Sequence, residues 1–281
     1  MRPVVVWGRH GLLAQSLRRT FWNDRPLLFW GRGELPASMA EQRQKVLLAN
    51  PAAIVNASGF TNLRQAEQAP QLAWELNVEI PRFLASLART LAVPFVTVSS
   101  DYVFSGNGKP SWNESDTPEP INAYGRSKLA GERAAIAVNP KTKIIRTAGL
   151  FGPALAGGKI SFPERILQQA RLDDFPQVRS DLSTSICHVD DLSRDLWQIL
   201  WQGTNGIFHV AHEGGATWYQ IAEYSLKAAT LKTRILPSSK HDFPRPSYSV
   251  LETQKPETRN GHARRKTWQE ALGIFLRGYL S

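Results

Sequence analysis

Apolar and polar positions along the first half of the chain follow two rhythms that take turns. Val4 to Trp7 is a short unbroken apolar run; glycines follow at once, and then Leu12, Leu13, Leu17 and Phe21 recur at helical spacing. That order predicts strand, tight turn, helix. The alternation continues with strands over Pro26–Trp30, Ala52–Ser58 and Pro94–Ser99 and a long helix over Pro70–Leu91. A loop from Gly106 to Asn122, a helix over Ala123–Asn139 and a strand over Thr142–Ala148 complete the series. Strands such as FVTVS are apolar throughout, as burial on both faces requires. The expected fold is therefore α/β, a doubly wound parallel sheet of Rossmann type.

Beyond Gly152 the rhythm weakens. A helix around Pro163–Arg171, a strand at Gly206–Ala211, a helix over Trp218–Ala229 and a final helix around Thr267–Leu280 remain legible. Residues 1–150 with about 181–210 are expected to form the sheet domain, and about 151–180 with 211–281 a smaller C-terminal substrate lobe.

Composition narrows the function classes. The 281 residues and 42% hydrophobic content suit a folded protein, and no stretch of eighteen apolar residues is present to span a membrane. The N-terminal apolar run breaks too early for a signal peptide, so a cytoplasmic location is expected. One cysteine, Cys187, leaves no disulfide framework and no cysteine-rich zinc site; its simplest reading is a small buried hydrophobe. The six histidines lack metal-ligand spacing, and no metal is expected. A net charge of +10 favours anionic ligands, yet the basic residues are scattered apart from Arg264, Arg265 and Lys266. No nucleic-acid-binding signature accompanies them, and none is expected as a partner.

Gly8, Gly11 and Ala14 form G-x-x-G-x-x-A at the first strand-to-helix junction. A pyrophosphate approaches a helix N-terminus closely only where side chains do not stand in the way, so this turn points to a dinucleotide. The acidic residue that would accept from a ribose 2′-hydroxyl is looked for after the second strand. There the chain reads LLFWGRGE, with Arg32 in that region and Arg9 inside the turn, a combination that favours NADPH over NADH.

Tyr124 and Lys128 lie four apart and share a helix face if the segment is helical. An ammonium beside a phenol, together with a nicotinamide's positive charge, stabilises the phenolate and suits it to proton transfer. Ser99-Ser100 ends the strand PFVTVSS, where ligands of open α/β sheets bind, and supplies a hydroxyl to hold a carbonyl.

Glycine turn, serine strand and Y-x-x-x-K in this order resemble the extended short-chain dehydrogenase/reductase family. SSDYVFSG, IVNASGFTNLRQAE, AYGRSKLAGE, RTAGLFG, CHVDDLSRDL, GIFHVAHEGGATWYQIA and RPSYSVLET narrow the resemblance to its dTDP-4-dehydrorhamnose reductase-like NDP-sugar ketoreductases, nearly end to end. The resemblance implies Ser100, Tyr124 and Lys128 as catalytic residues: carbonyl holder, proton donor, and electrostatic partner that also meets the cofactor ribose. It implies cofactor contacts from Gly8, Arg9, Gly11, Leu12, Leu13, Arg32, Ala57, Ser58 and Gly59, with Tyr124 and Lys128. Thr61, Leu63, Ser100, Tyr102, Phe104, Tyr124 and Arg245 would meet a nucleotide-diphosphate sugar, with Arg245 on the diphosphate. A homodimer is compatible with it.

The chain departs from the family pattern in four places. Ala14 replaces a third glycine, Ser100 a threonine, Arg64-Gln65 the Lys or Asp often found in the loop before Ala66-Glu67, and Ala148-Gly149 the stretch that frequently carries a tryptophan after RT. The last change removes a flat wall expected beside the sugar and implies a reshaped pocket. The same fold also serves epimerases and a non-catalytic regulatory subunit; a dehydratase would want two acids after Ser100, where Asp101-Tyr102 stands.

Overall fold

A computed structural model describes every residue except 22, 32, 108, 109, 154–159, 173, 174, 241, 256–264 and 281. Its sheet domain is built from β1 (Val4–Trp7), α1 (Leu12–Thr20), β2 (Leu27–Trp30), α2 (Met39–Ala49), β3 (Ala53–Asn56), α3 (Leu63–Gln68), α4 (Pro70–Trp74), α5 (Ile80–Thr90), β4 (Phe95–Ser100), α6 (Ala123–Val138) and β5 (Lys143–Thr147). There follow β6 (Gly149–Phe151), α7 (Phe162–Arg171), β7 (Gln177–Arg179), β8 (Ser183–Thr184), β9 (Ile186–His188), α8 (Val189–Trp201), β10 (Gly206–His209), β11 (Ala216–Thr217), α9 (Trp218–Ala228), β12 (Leu236–Ser238), β13 (Tyr248–Ser249) and α10 (Trp268–Leu280).

Six parallel strands run in the order β10-β5-β4-β3-β1-β2, with the switch of winding direction between β1 and β3. Pleating decides what each face buries. Val4 and Val6 point into a core shared with α1 and α8, whereas Val5 and Trp7 point the other way, among residues of α2 and α5 and Ala135 of α6. Each fully buried valine of β1 contributes roughly 1.5–3 kcal/mol of transfer free energy, so the short strand is fixed in register by both sides.

A separate apolar cluster joins Phe151, α7, Val178, α9, Ile235 and α10, under the small sheet β11-β8-β13. The expected long helix over Pro70–Leu91 is continuous but widens into a π-turn at Glu75–Glu79. Helices α2, α3 and α8 were not read from periodicity. Each nevertheless starts with a side-chain cap: Ser38 with Glu41 as a capping box, Asn62, and His188.

Candidate active site

At the phosphate turn Gly8 has φ +112°, and a Cβ there would stand 2.9 Å from the Ala57 carbonyl carbon and the Ser58 nitrogen. Only glycine fits that approach between the ends of β1 and β3. Gly11 begins α1 without a side-chain cap and has open space around its Cβ position. Backbone N–H groups of the first turn, Leu12 and Leu13 included, are thus presented to an anion, while Leu13 and Ala14 bury their side chains in the core. Ala57, Ser58 and Gly59 continue β3 beside this turn; Ala57 N–H donates to the Trp7 carbonyl at 2.8 Å. The turn fits a dinucleotide pyrophosphate.

Asn77, from the π-turn, fastens this loop to α6. Its amide accepts from Phe60 N–H at 2.9 Å and donates to Ser127 Oγ at 2.9 Å. Sequence reading passed Asn77 over, because nothing local distinguishes it from other polar helix positions.

Arg9 is paired with Glu34, whose second oxygen accepts from Gly31 N–H at 2.8 Å. That backbone bond, with Arg9, holds the Glu34 carboxyl below its usual range. The end of β2 therefore does carry an acid, two residues later than expected, and Arg9 is not free beside the turn. Arg32 lies outside the described residues.

Asn122 caps α6 by accepting from Gly125 N–H at 2.7 Å, which starts the helix immediately before Tyr124. Gly125 is required by proximity: a Cβ there would lie 2.1 Å from the Tyr102 carbonyl oxygen. The close approach brings the Tyr102 and Tyr124 rings edge to face, 5.7 Å between centroids. The Tyr124 phenol is partly buried and lies beside Ser100, close enough for the serine hydroxyl to act on it. Burial first, and then the Asp101 carboxylate and Tyr102, drive its pKa upward against that hydroxyl. The lowering expected from the lysine is thus absent from the resting protein. Lys128 instead donates to the Val98 carbonyl at 2.6 Å, close to Gly59, and burial depresses its pKa to about 8 against the opposing field of Glu132. Glu132 is locked in a buried two-pronged pair with Arg146 of β5, at 3.0 and 2.7 Å.

Ser100 closes β4. Its Oγ donates to Asp101 Oδ1 at 2.8 Å and accepts from Tyr102 N–H at 3.2 Å. Tyr102 is met by Arg245, with Arg179 near enough to act on its phenol; burial and Asp101 outweigh both and push it up to about 12. Arg245 stacks on Phe243, its carbon 4.4 Å from the ring centre, and its Nε is buried without a partner. Arg179, ion-paired to Asp181, is a second basic group that sequence reading missed.

Thr61 is exposed in the loop before α3, and Leu63 opens that helix, which is tied to α6 by Glu67 accepting from Ala123 N–H at 2.5 Å. Phe104 corrects the expectation made of it. It is fully buried, stacked on Trp112 at 4.7 Å with Arg146 above its ring, so it supports the wall of the site from behind and has no face for a substrate. The Trp218 indole lies where a Cβ of Gly149 would stand, 2.7 Å from it, and packs on Phe162. A tryptophan does cover this strand, delivered by α9.

The chain matches the family model described as RmlD substrate binding domain over residues 1–280. It is 32% identical over 266 residues to a dTDP-4-dehydrorhamnose reductase of Streptomyces griseus, covering 89% of this chain and 86% of that protein. A dTDP-4-keto-6-deoxy-D-glucose reductase of Streptomyces niveus is 32% identical, with 88% and 87% covered. Among solved structures, dTDP-4-dehydrorhamnose reductase from Bacillus anthracis in complex with NADP superposes with a TM-score of 0.91 at 25% identity, covering 99% of both chains.

Proposed function

Because this chain belongs to the RmlD substrate-binding-domain family of extended short-chain dehydrogenases/reductases, we propose that it is an oxidoreductase reducing a nucleotide-activated 4-keto-6-deoxy sugar with NADPH. The observation that carries the reading is the contact of the Tyr124 phenol with Ser100 at the carboxyl end of β4, with Lys128 one helical turn further along α6. NADPH, held at the glycine turn by Gly8, Gly11 and the first turn of α1, would supply hydride to the ketone carbon. Tyr124 delivers the proton to the ketone oxygen while Ser100 holds that oxygen. Lys128, leaving the Val98 carbonyl, would offset the charge left on the tyrosine and donate to the cofactor ribose.

Gly8, Gly11, the N–H groups of Leu12 and Leu13, and Ala57 to Gly59 form the cofactor side. Arg9, once released from Glu34, and Arg32 give a 2′-phosphate its partners; Glu34 leaves NADH usable. Thr61, Leu63 and Tyr102 line the sugar side, joined by Trp218, and Arg245 with Arg179 takes the diphosphate. We assign residues 1–150 with about 181–210 to cofactor binding and the remainder to a substrate lobe, a division supported by the separate apolar cluster around α7, α9 and α10.

No described helix is long and apolar enough to cross a membrane. We propose a cytoplasmic enzyme, on its cysteine-poor composition, and a homodimer, for which the half-exposed Trp74 and Leu72 of α4 offer apolar surface. The test is incubation with NADPH and a panel of dTDP-, UDP- and GDP-4-keto-6-deoxy sugars, watching nicotinamide absorbance. Stoichiometric oxidation supports reduction; isomerised sugar without net oxidation means an epimerase, and tight NADPH binding with no turnover means a regulatory subunit.

A further inference from the structure

Asp101 is almost fully buried, and its carboxylate is surrounded by hydroxyls from three segments far apart in sequence. Ser100 Oγ donates to Oδ1 at 2.8 Å and Ser249 Oγ to Oδ2 at 2.6 Å; Thr184 Oγ1 lies 3.2 Å from the same oxygen and shares its hydrogen with the Ser185 carbonyl at 3.0 Å. Ser249 belongs to β13 and Thr184 to β8, adjacent strands of the small sheet. Arg245 lies four residues before Ser249, and Arg179 five residues before Thr184. Each of these two segments therefore brings an arginine to the Tyr102 side and a hydroxyl to Asp101.

The hydrogen-bond inventory gives this arrangement a purpose. A serine hydroxyl has one hydrogen. In the resting protein that hydrogen is committed to Asp101, while the Tyr124 phenol lies beside Ser100. To hold a ketone oxygen, Ser100 must turn its hydrogen away from the carboxylate. A buried carboxylate that loses a donor is costly unless others remain, and here Ser249 remains at 2.6 Å, with Thr184 sharing its one hydrogen between Asp101 and the Ser185 carbonyl.

We propose that Asp101 is a positioning residue for the reduction: it parks the Ser100 hydrogen in the resting site and releases it to the ketone only when the segments Arg179–Thr184 and Arg245–Ser249, which end in β8 and β13, are seated through their arginines on the nucleotide diphosphate. The inference rests on the reductase reading above and deepens it, since engagement of the diphosphate assembles the group that holds the ketone. Burial raises the Asp101 pKa to about 6, with the Ser249, Ser100 and Thr184 hydroxyls opposing. The titratable groups facing it are the phenols of Tyr102 and Tyr124, with Arg245 and Arg179 beyond Tyr102.

The test compares wild type with Asp101→Asn. We expect kcat to fall on the order of 10²-fold, with KM for the NDP-sugar changed less than about threefold. The wild-type kcat/KM should decline as pH falls through about 6, where the carboxylate takes up a proton and loses the charge with which it holds the Ser100 hydrogen, and that limb should vanish in the variant. Ser249→Ala should lower kcat less and move the limb to higher pH.

Stability runs the opposite way. The folded chain keeps a proton that the unfolded chain gives up near 3.8, so ionised Asp101 costs stability above about pH 6. Asp101→Asn should then equal or exceed wild type in Tm at pH 8, and the difference should shrink toward pH 4. Unchanged kcat, a persistent acid limb, or a lower Tm at pH 8 would each overturn the proposal. Wild-type turnover, measured first, judges the reductase reading separately. If there is none, that reading fails, while the pH course of Tm still decides whether Asp101 carries this buried charge.

Discussion

The two sides of the site are made in different ways. On the proposed cofactor side, backbone does most of the work: Gly8, the first turn of α1 and the end of β3 are adjacent in the sheet, and their geometry follows from strand register. On the proposed substrate side, side chains from Ser100–Tyr102, Arg179–Thr184 and Arg245–Ser249 meet across the fold. The first side is preformed. The second is complete only when three separate segments agree, which makes it the side more open to adaptation and more sensitive to remote change.

The largest break in this comparison should come at the point where the sides meet. Tyr124→Phe should lower kcat by about 10³-fold or more while leaving the NADPH Kd within about twofold, read by stopped-flow turnover and cofactor fluorescence. Next is the rigid side. Gly8→Val places a side chain at φ +112° and against the backbone of Ala57, so strain of about 1–3 kcal/mol adds to a blocked approach. Calorimetry should find the NADPH Kd raised at least tenfold, and an unchanged Kd would mean the turn does not take the cofactor.

On the assembled side, Arg245→Ala should cost roughly 2 kcal/mol of diphosphate binding, about thirtyfold in KM with kcat reduced less. Should kcat alone respond, Arg245 does not hold substrate. Lys128, with its pKa depressed to about 8, loses its ammonium as pH rises through that value. We therefore expect kcat/KM to fall about tenfold per pH unit above 8, since that ratio reports groups of the free enzyme. Smallest is Arg9→Ala, which removes an exposed pair with Glu34. It should shift the NADPH-to-NADH preference by about two- to fivefold, measured as a ratio of kcat/KM values.

Legibility in the sequence divides along the same line. Strands β1 to β5, the glycine turn and the Tyr124–Lys128 spacing are local patterns, and the structure places them within a residue or two of the expected bounds. Helix α8 escaped periodicity although His188 caps it, and α2 escaped although Ser38 and Glu41 mark its start. Glu34 was missed because the chain turns after Trp30 and folds the carboxylate back onto Gly31. Phe104 was misread for a different reason. Its motif says that it adjoins Tyr102, but not that the chain turns there to bury it under Trp112 and Arg146.

The sequence by itself determined the alternation of buried strands and helices, the turn that only glycine can make, and a phenol and an ammonium on one helical face. These depend on steric rules and periodicities acting over a few residues. Tertiary structure alone decided that Trp218 covers Gly149, that Asn77 fastens the cofactor loop to α6, and that Thr184 and Ser249 donate to Asp101. Such contacts join residues as many as 148 positions apart. Their partners are selected by packing and by the need to satisfy buried polar atoms, and neither leaves a mark on the neighbouring sequence.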